Sequence, residues 1–340
     1  MISFERVTKT YPDGTVAVDD LTLEVPAGTL AVFVGPSGCG KTTSMRMINR
    51  MIEPTSGTLT VDGADVTKVD PVKLRLGMGY VIQSAGLMPH QRVIDNVATV
   101  PVLRGQSRRA ARRAALDVMK RVGLDPKLAN RYPAQLSGGQ QQRVGVARAL
   151  AADPPILLMD EPFSAVDPVV REELQAEMLR LQDELHKTIV FVTHDIDEAV
   201  KLGDKVAVFG PGGVLQQYDE PAQLLSDPAN DFVAGFIGTD RGYRGLQFFG
   251  ASGLALQDIR RVGEWELVTN PDGSPAGWRN ADEFVAGGSL FRPDGTLRQA
   301  LDAALSSPSG IGVAVDADGK VIGGVRADDV LDAIDKQRKR

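Results

Sequence analysis

A glycine-rich segment at residues 35–42 contains the residue types that proteins use to hold phosphate groups. It reads Gly-Pro-Ser-Gly-Cys-Gly-Lys-Thr and fits the pattern G-x-x-x-x-G-K-[ST]. Its glycines can turn backbone N–H groups inward, and the N-terminus of a following helix adds partial positive charge. Lys41 can reach β- and γ-phosphates, and the Thr42 hydroxyl can ligate Mg²⁺. The segment, called the phosphate loop below, therefore predicts a nucleotide site.

Two adjacent carboxylates follow a second apolar segment. Asp160 and Glu161 come directly after Ile156–Met159. Because consecutive strand residues point to opposite faces, the two acids should differ in role. We assign Asp160 to Mg²⁺ and Glu161 to polarising an attacking water. A strand that simply ends in charged residues at the surface is the alternative, and the phosphate loop is what favours the functional interpretation.

A second turn with anion-binding character precedes another helical pattern. This signature turn, Leu136–Gln140, reads Leu-Ser-Gly-Gly-Gln. The Ser137 hydroxyl and the N–H groups of Gly138 and Gly139 could hold a phosphate. An ordinary helix N-cap, in which the serine accepts from free N–H groups, explains the same residues equally well. The residues alone leave both interpretations open.

The elements that must position these groups alternate between strands and helices. This alternation predicts an α/β core with a mostly parallel sheet, and the helices between residues 84 and 150 should form a separate layer. The predicted strands are Ile2–Val7, Leu30–Val34, Tyr80–Ile82, Ile156–Met159, Ile189–Val192 and Val206–Phe209. The predicted helices are about Lys41–Met51, Arg108–Val122, Gly139–Ala151, Val169–His186 and Ile196–Leu202.

Composition excludes several classes of protein. The 340 residues carry a net charge of −6, which disfavours a nucleic-acid-binding protein with a broad basic surface. The single cysteine cannot form an intramolecular disulfide. No apolar run reaches the roughly 18 residues of a membrane span, and the first residues do not read as a secretory signal. Any work at a membrane is therefore expected to pass through a partner chain.

The composition changes near residue 240, and a weak internal repeat follows. We predict a first domain over 1–238, a linker over 239–245 and a second domain over 246–340. Residues 267–284 align without gaps to 313–330, which places two Asp-Gly pairs in register. Each copy, at about 246–286 and 290–335, is predicted to contain a strand, an Asp-Gly turn, a second strand and a helix start.

Taken together, these motifs resemble those of the ATP-binding subunit of ATP-binding cassette (ABC) transporters. Leu-Ser-Gly-Gly-Gln is that family's signature, and its spacing between the phosphate loop and the acidic strand is highly specific. The resemblance covers about residues 1–238. It implies a RecA-like P-loop NTPase core with an antiparallel β subdomain and a helical subdomain.

The resemblance also implies roles for individual residues. Tyr11 would stack on adenine, Gln83 would sense Mg²⁺ and the γ-phosphate, and Asp167 would cross a dimer interface while also capping a helix. Catalysis would fall to Lys41, Glu161 and His194, and Mg²⁺ binding to Thr42, Gln83 and Asp160. The implied nucleotide-binding residues are Tyr11, Gly35, Pro36, Ser37, Gly38, Cys39, Gly40, Lys41, Thr42, Thr43, Gln83, Ser137, Gly138, Gly139, Gln140 and Asp167.

The family further implies how two copies would work together. Two cassettes pack head to tail, so that Ser137 of one copy would meet the ATP held by Lys41 of the other. ATP and Mg²⁺ are the implied cofactors. The implied partners are a second copy, an integral membrane permease and, indirectly, a substrate-binding protein. The expected location is the cytoplasmic face of the cell membrane, as a peripheral subunit.

Longer segments are similar to the osmoprotectant branch, which imports glycine betaine, carnitine, choline or proline betaine. In that branch the second domain would be a small α+β pair of cystathionine-β-synthase (CBS) motifs with a regulatory role. Where such motifs usually carry a serine or threonine followed by an aspartate, this chain has Asn280/Glu283 and Arg326/Asp329. The alternatives are an amino-acid importer ATPase and a non-transport ABC ATPase.

Cys39 lies inside the phosphate loop. A helix N-terminus tends to lower the pKa of a thiol, so we expect Cys39 to be reactive and to be protected by bound MgATP. An unreactive buried spacer is the alternative.

Overall fold

The computed structural model describes residues 1–164 and 166–338. It divides into two compact units, one of residues 1–236 and one that begins at Ile237. In the described part of the chain, no helix has both the length and the apolar character that a membrane crossing requires.

The first unit contains ten strands and nine α-helices among its described residues, the last α-helix ending at the boundary residue Ile237. The strands are β1 (Ile2–Thr10), β2 (Val16–Val25), β3 (Leu30–Val34), β4 (Ser56–Val61), β5 (Ala64–Asp65), β6 (Met78–Val81), β7 (Ile156–Asp160), β8 (Thr188–Val192), β9 (Lys205–Gly210) and β10 (Val214–Asp219). The helices are α1 (Lys41–Ile48), α2 (Pro71–Leu76), α3 (Val93–Leu103), α4 (Arg108–Arg121), α5 (Gly138–Leu150), α6 (Pro168–Leu185), α7 (Ile196–Leu202), α8 (Pro221–Ser226) and α9 (Asp231–Ile237).

The central sheet has the strand order β10-β9-β3-β8-β7-β6. All of its strand pairs are parallel except β10 with β9. Strands β3, β7 and β8 are buried along their whole length, as their continuous apolar runs require. Parallel strands bring their carboxyl ends to one edge of the sheet. The segments that follow β3, β7 and β8 therefore meet there.

A second sheet, with the order β2-β1-β4-β5, is antiparallel throughout. It shares a hydrophobic core with the central sheet, in which Phe4 packs against Phe33 with a centroid distance of 6.5 Å. Strand β1 extends three residues beyond its predicted end at Val7, through two register shifts. Helix α3, which the sequence pattern did not single out, packs with α4 and α5 as the predicted separate helical layer.

The second unit contains seven strands and three α-helices among its described residues. The strands form two sheets, β11-β12-β13-β14 and β15-β16-β17. They are β11 (Arg261–Val262), β12 (Trp265–Thr269), β13 (Pro275–Arg279), β14 (Phe284–Ala286), β15 (Leu290–Phe291), β16 (Ile311–Val315) and β17 (Val321–Arg326). The helices are α10 (Arg241–Gly245), α11 (Leu297–Ser306) and α12 (Ala327–Arg338).

Both predicted Asp-Gly hairpins are present in the second unit. Strands β12 and β13 pair across a turn with Gly273 at φ 87°, and β16 and β17 pair across a turn with Gly319 at φ 78°. Glycine reaches these left-handed conformations without steric cost, which is why the Asp-Gly pairs mark the turns. The strand–turn–strand part of the predicted repeat is confirmed.

Two expectations about the second unit are wrong. The segment predicted as a linker, 239–245, includes helix α10. The predicted helix start in the first copy is a turn instead, because Asn280 Oδ1 accepts from the N–H groups of Asp282 and Glu283. The chain then returns as β14, antiparallel to β13. Only the second copy continues into a helix, α12. The last two residues of the predicted second domain lie outside the described residues.

Candidate nucleotide-binding and catalytic site

The phosphate loop connects β3 to α1 and is tightly enclosed by backbone. Gly35 has φ 150° and Gly40 has φ 90°. A Cβ atom at Gly35 would lie 2.2 Å from the carbonyl oxygen of Phe209, and one at Gly40 would lie 2.1 Å from that of Ala17. Neither position can accept a side chain. The glycines of the motif are therefore explained by close backbone contact as well as by loop conformation.

The side chain of Lys41 fills the centre of this loop. It is 5% exposed, and its ammonium group donates to the carbonyl oxygens of Gly35 at 2.7 Å and Pro36 at 2.8 Å. A buried lysine needs hydrogen-bond acceptors, and here the loop supplies them. The positive charge is thus held where the sequence predicted a phosphate-binding site.

Asp160 and Thr42 lie together as the sequence predicted for a shared metal site. The Thr42 hydroxyl donates to Asp160 Oδ1 at 2.9 Å, although the two residues are far apart in the chain. Asp160 ends β7 and is 5% exposed, while Thr42 lies in the first turn of α1. In the described part of the chain, no cluster of three or more His, Cys, Asp or Glu side chains could hold a metal ion. A Mg²⁺ ion at this pair would therefore need further oxygen ligands from a nucleotide or water.

Sequence analysis missed a third member of this group, Arg46. Its guanidinium lies 3.3 Å from Asp160 Oδ2. Thr42 and Arg46 are four residues apart on α1, so they share one helix face. That spacing was the available signal, because a cation one turn after Thr42 lies on the helix face that approaches the same acidic strand end.

Glu161, Gln83 and His194 converge at the same edge of the sheet. Glu161 Oε2 lies 3.2 Å from Gln83 Nε2 and 3.4 Å from His194 Nδ1. Glu161 has φ 44°, and its N–H donates to the carbonyl oxygen of Val192 at 3.0 Å. A left-handed conformation at a residue other than glycine is strained, and such strain is concentrated at functional sites. As predicted from strand alternation, Asp160 and Glu161 point to different partners.

The signature turn forms a complete helix cap at the start of α5. Ser137 Oγ accepts from the N–H of Gln140 at 3.3 Å, and Gln140 Oε1 accepts from the N–H of Ser137 at 3.1 Å. This reciprocal pair is a capping box. Among the described residues, no hydrogen bond joins this turn to the phosphate loop. The N-cap interpretation is confirmed, and phosphate binding by Ser137 stays a prediction.

Tyr11 and Asp167 occupy positions consistent with their predicted roles without testing them. Tyr11 follows β1 at the tip of the β1–β2 hairpin, and Lys9 Nζ lies 5.3 Å from its ring centroid. The same hairpin touches the phosphate loop, because Ala17 on β2 abuts Gly40. Asp167 Oδ1 accepts from the N–H of Val170 at 3.1 Å and caps α6, as expected.

The prediction of a low thiol pKa at Cys39 is wrong. Cys39 is 2% exposed, and burial raises its pKa. The charge of Lys41, whose ammonium lies 3.6 Å from Cys39 Sγ, acts in the opposite direction but is the smaller effect. Helix α1 begins only at Lys41, two residues later. Desolvation therefore outweighs the charge of Lys41, and the pKa of the thiol lies above its usual value.

Comparison with known proteins is consistent with this geometry. The ABC transporter family profile matches residues 18–164. The chain is 52% identical over 241 residues to a carnitine transport ATP-binding protein of Listeria monocytogenes, covering 71% of this chain and 60% of that protein. It thus spans less than two thirds of that relative's length. It is also 40% identical to an osmoprotectant import ATP-binding protein of Salmonella typhimurium, covering 100% of this chain and 98% of the relative.

A solved structure supports the same conclusion for the first unit. The dimeric structure of a bacterial ABC transporter cassette superposes with a TM-score of 0.60 at 34% identity, covering 65% of this chain and 99% of that one. The predicted fold class, an α/β cassette with an antiparallel β part and a helical part, is confirmed. With the motifs, the converging side chains and a relative matched along its length, the chain belongs to the ATP-binding proteins of the ABC transporter family.

Proposed function

We propose that this chain binds and hydrolyses ATP, and that hydrolysis powers import of a compatible solute through a separate membrane permease. One observation carries the proposal. Gln83 Nε2 and His194 Nδ1 each lie within 3.4 Å of Glu161 Oε2, on the same sheet edge as the Lys41 loop. Phosphoryl transfer to water needs positioning and charge stabilisation more than covalent chemistry, and this arrangement supplies both.

The residues fit the substrate and its metal ion. Backbone N–H groups of the phosphate loop and the ammonium of Lys41 would bind the β- and γ-phosphates. Thr42, Asp160 and Gln83 would hold Mg²⁺, which neutralises charge on the phosphate oxygens when bound. Glu161 would accept a proton from the attacking water, and His194 would keep that carboxylate oriented.

A second copy of the chain would complete the site. Within one chain, Ser137 and the N-terminus of α5 cap a helix and leave their partial positive charge directed outward. The negative charge of a triphosphate bound to the phosphate loop of a second copy would interact favourably with that partial positive charge. The similar solved cassette is described as dimeric, which agrees with this arrangement. ATP would then hold the interface closed, and loss of phosphate would open it.

The permease is proposed to act on this site through Gln83. A cavity of about 650 Å³ in the first unit is lined by Arg46, Gln83 and Asp160, among other residues. Gln83 in turn contacts Glu161. A partner that enters this cavity would change the position of the catalytic carboxylate. The chain would accordingly sit at the cytoplasmic face of the membrane as a peripheral subunit.

The solute class is proposed from the relatives. Their names specify transport of carnitine, choline, or glycine betaine with carnitine and choline, all quaternary amines. The solute would not touch this chain. The second unit is proposed to regulate transport as a CBS-like domain. In it Asp329 Oδ2 already accepts from Gln257 Nε2 at 3.1 Å. CBS motifs that bind adenosine ligands usually carry a serine or threonine where this chain has Asn280 and Arg326. That difference, together with the contact of Asp329, argues for a regulator that does not bind adenosine ligands through these positions.

Co-purification tests the proposal most directly. The chain, tagged and expressed in its native cell, should capture a polytopic membrane subunit, and reconstituted vesicles should accumulate labelled glycine betaine, carnitine or choline only with internal MgATP. Capture of DNA or ribosomes in place of a membrane protein would favour a non-transport ABC ATPase. Uptake of an amino acid without a quaternary amine would favour the amino-acid importer.

A further inference from the structure

A buried polar cluster lies directly behind His194, and none of its members belongs to the catalytic residues named above. Thr193 is 2% exposed, and Glu198 on α7 is 6% exposed. Thr193 Oγ1 donates to Glu198 Oε2 at 2.6 Å and accepts from the N–H of Asp195 at 3.0 Å. The N–H of Thr193 itself donates to the carbonyl oxygen of Phe33 at 3.1 Å. The backbone on both sides of His194 is therefore tied to one buried carboxylate.

Glu198 accepts a hydrogen bond on each of its two carboxylate oxygens. Gln175 Nε2 donates to Glu198 Oε1 at 3.4 Å. Lys201 Nζ donates to Gln175 Oε1 at 2.8 Å, which fixes the orientation of that amide. A carboxylate accepts from both Gln175 and the threonine, whereas a glutamine at this position could accept with one oxygen only. The guanidinium of Arg171, 4.0 Å from Oε1, offsets part of the buried charge.

A buried carboxylate loses its hydration, which is unfavourable unless hydrogen bonds replace it. Burial accordingly raises the pKa of Glu198. Replacing a buried ionic group by well-packed apolar residues is often neutral or stabilising. A role limited to holding α7 against β8 would not need a carboxylate. A role in orienting His194, the residue after Thr193, would need one, because hydrogen bonds are directional and apolar packing is not.

We propose that Glu198 is a positioning residue, which holds His194 against Glu161 through the hydroxyl of Thr193. The inference rests on the proposed ATP hydrolysis and assigns to that reaction two residues outside the catalytic set. The chain of contacts runs from Gln175 and Glu198 to Thr193, then through the backbone to His194 and its contact with Glu161.

The first test is the Thr193→Val substitution in the full chain. We expect kcat for ATP hydrolysis to fall about tenfold while KM for ATP stays within about twofold, because the hydroxyl acts on His194 and not on nucleotide binding. Thr193→Ser, which keeps the hydroxyl, should restore kcat. Thr188→Val is the matched control, because Thr188 begins β8, the strand that Thr193 directly follows, is 4% exposed, and has a hydroxyl that accepts from the N–H of Gly28 at 3.0 Å. It should lose a similar amount of thermal stability without losing kcat.

A double-mutant cycle separates positioning from a general structural effect. If Thr193 acts through His194, then Thr193→Val should add less than about twofold to the loss already caused by His194→Ala. An independent tenfold loss in the His194→Ala background would overturn the inference. So would an unchanged kcat in Thr193→Val alone.

A second readout does not depend on turnover. The chain contains three histidines, so their ring resonances can be assigned by single substitutions and followed by NMR. Thr193→Val and Glu198→Gln should each move the His194 ring signals and leave those of His90 and His186 in place. Unmoved His194 signals would overturn the inference even if ATP hydrolysis were confirmed. A wild-type chain without ATPase activity would instead count against the proposed function, while the NMR result would still decide whether the cluster positions His194.

Discussion

Oε2 of Glu161 lies 3.4 Å from Nδ1 of His194, at the ends of two neighbouring parallel strands. Asp160, the last residue of β7, pairs with Val192, the last residue of β8. The segments that follow the two strands, which carry Glu161 and His194, therefore leave the sheet side by side. Their contact is therefore a consequence of the sheet and not of a flexible loop. A carboxylate that is already oriented in this way can polarise water with little reorganisation during the reaction.

Glu161→Gln should separate nucleotide binding from hydrolysis. The amide keeps the size of the side chain and its contacts, but it cannot accept a proton. We expect ATP affinity to stay near that of the wild type and turnover to fall by about a hundredfold or more. Phosphate release measures the second effect. Size-exclusion chromatography with MgATP should show a persistent dimer, and near-normal turnover in this variant would refute the role of Glu161.

Lys41→Ala should mainly reduce nucleotide affinity. Lys41 is the buried cation at the centre of the phosphate loop, held by the carbonyl oxygens of Gly35 and Pro36. Its loss removes the positive charge that faces the phosphates and leaves two carbonyl groups without their donor. Titration with a fluorescent ATP analogue should show affinity at least about tenfold weaker. Lys201→Ala, which removes a lysine bound to Gln175 outside the loop, is the control and should bind the analogue normally.

The sequence predicted more of the site's centre than of its surroundings. The motif glycines, the strand β3 and the different directions of Asp160 and Glu161 follow from local rules: loop conformation, continuous apolar runs and a period of two. The ion pair between Arg46 and Asp160 joins distant segments, so only the folded sheet reveals it. The helix expected to start near residue 281 is a turn instead, and the chain then pairs as β14 with the edge of β13, which is a tertiary effect.

The reactivity of Cys39 also depends on tertiary burial, which the sequence motif does not show. It is the third property that can be tested. Burial raises its pKa, so the neutral thiol persists to higher pH than it does in an exposed cysteine. Alkylation by a maleimide should therefore be slow near neutral pH and should speed up only well into the alkaline range. Because this is the only cysteine in the chain, the label reports on one site. Rapid modification at pH 7, equal to that of glutathione, would contradict the buried thiol.

The signature turn allows the cap and the phosphate-binding roles of Ser137 to be tested separately. Aspartate is as good an N-cap as serine, and its carboxylate can still accept from the N–H of Gln140. Ser137→Asp should therefore keep the unfolding free energy of the wild type, while its negative charge opposes a triphosphate from the second copy. Ser137→Ala should cost about 1 kcal/mol of stability by losing the cap. Denaturant unfolding measures both changes.

Dimer formation with MgATP then discriminates between the capping role and the phosphate-binding role of Ser137. In the Glu161→Gln background, MgATP should no longer produce a dimer when Ser137 is aspartate, although binding of ATP to the monomer should persist. Phosphate contact across the interface predicts this result, since like charges at short distance repel strongly where water is excluded. If the aspartate variant still forms the MgATP dimer, Ser137 serves α5 alone. The proposed clasp of ATP between two copies would then have to rest on residues other than this one.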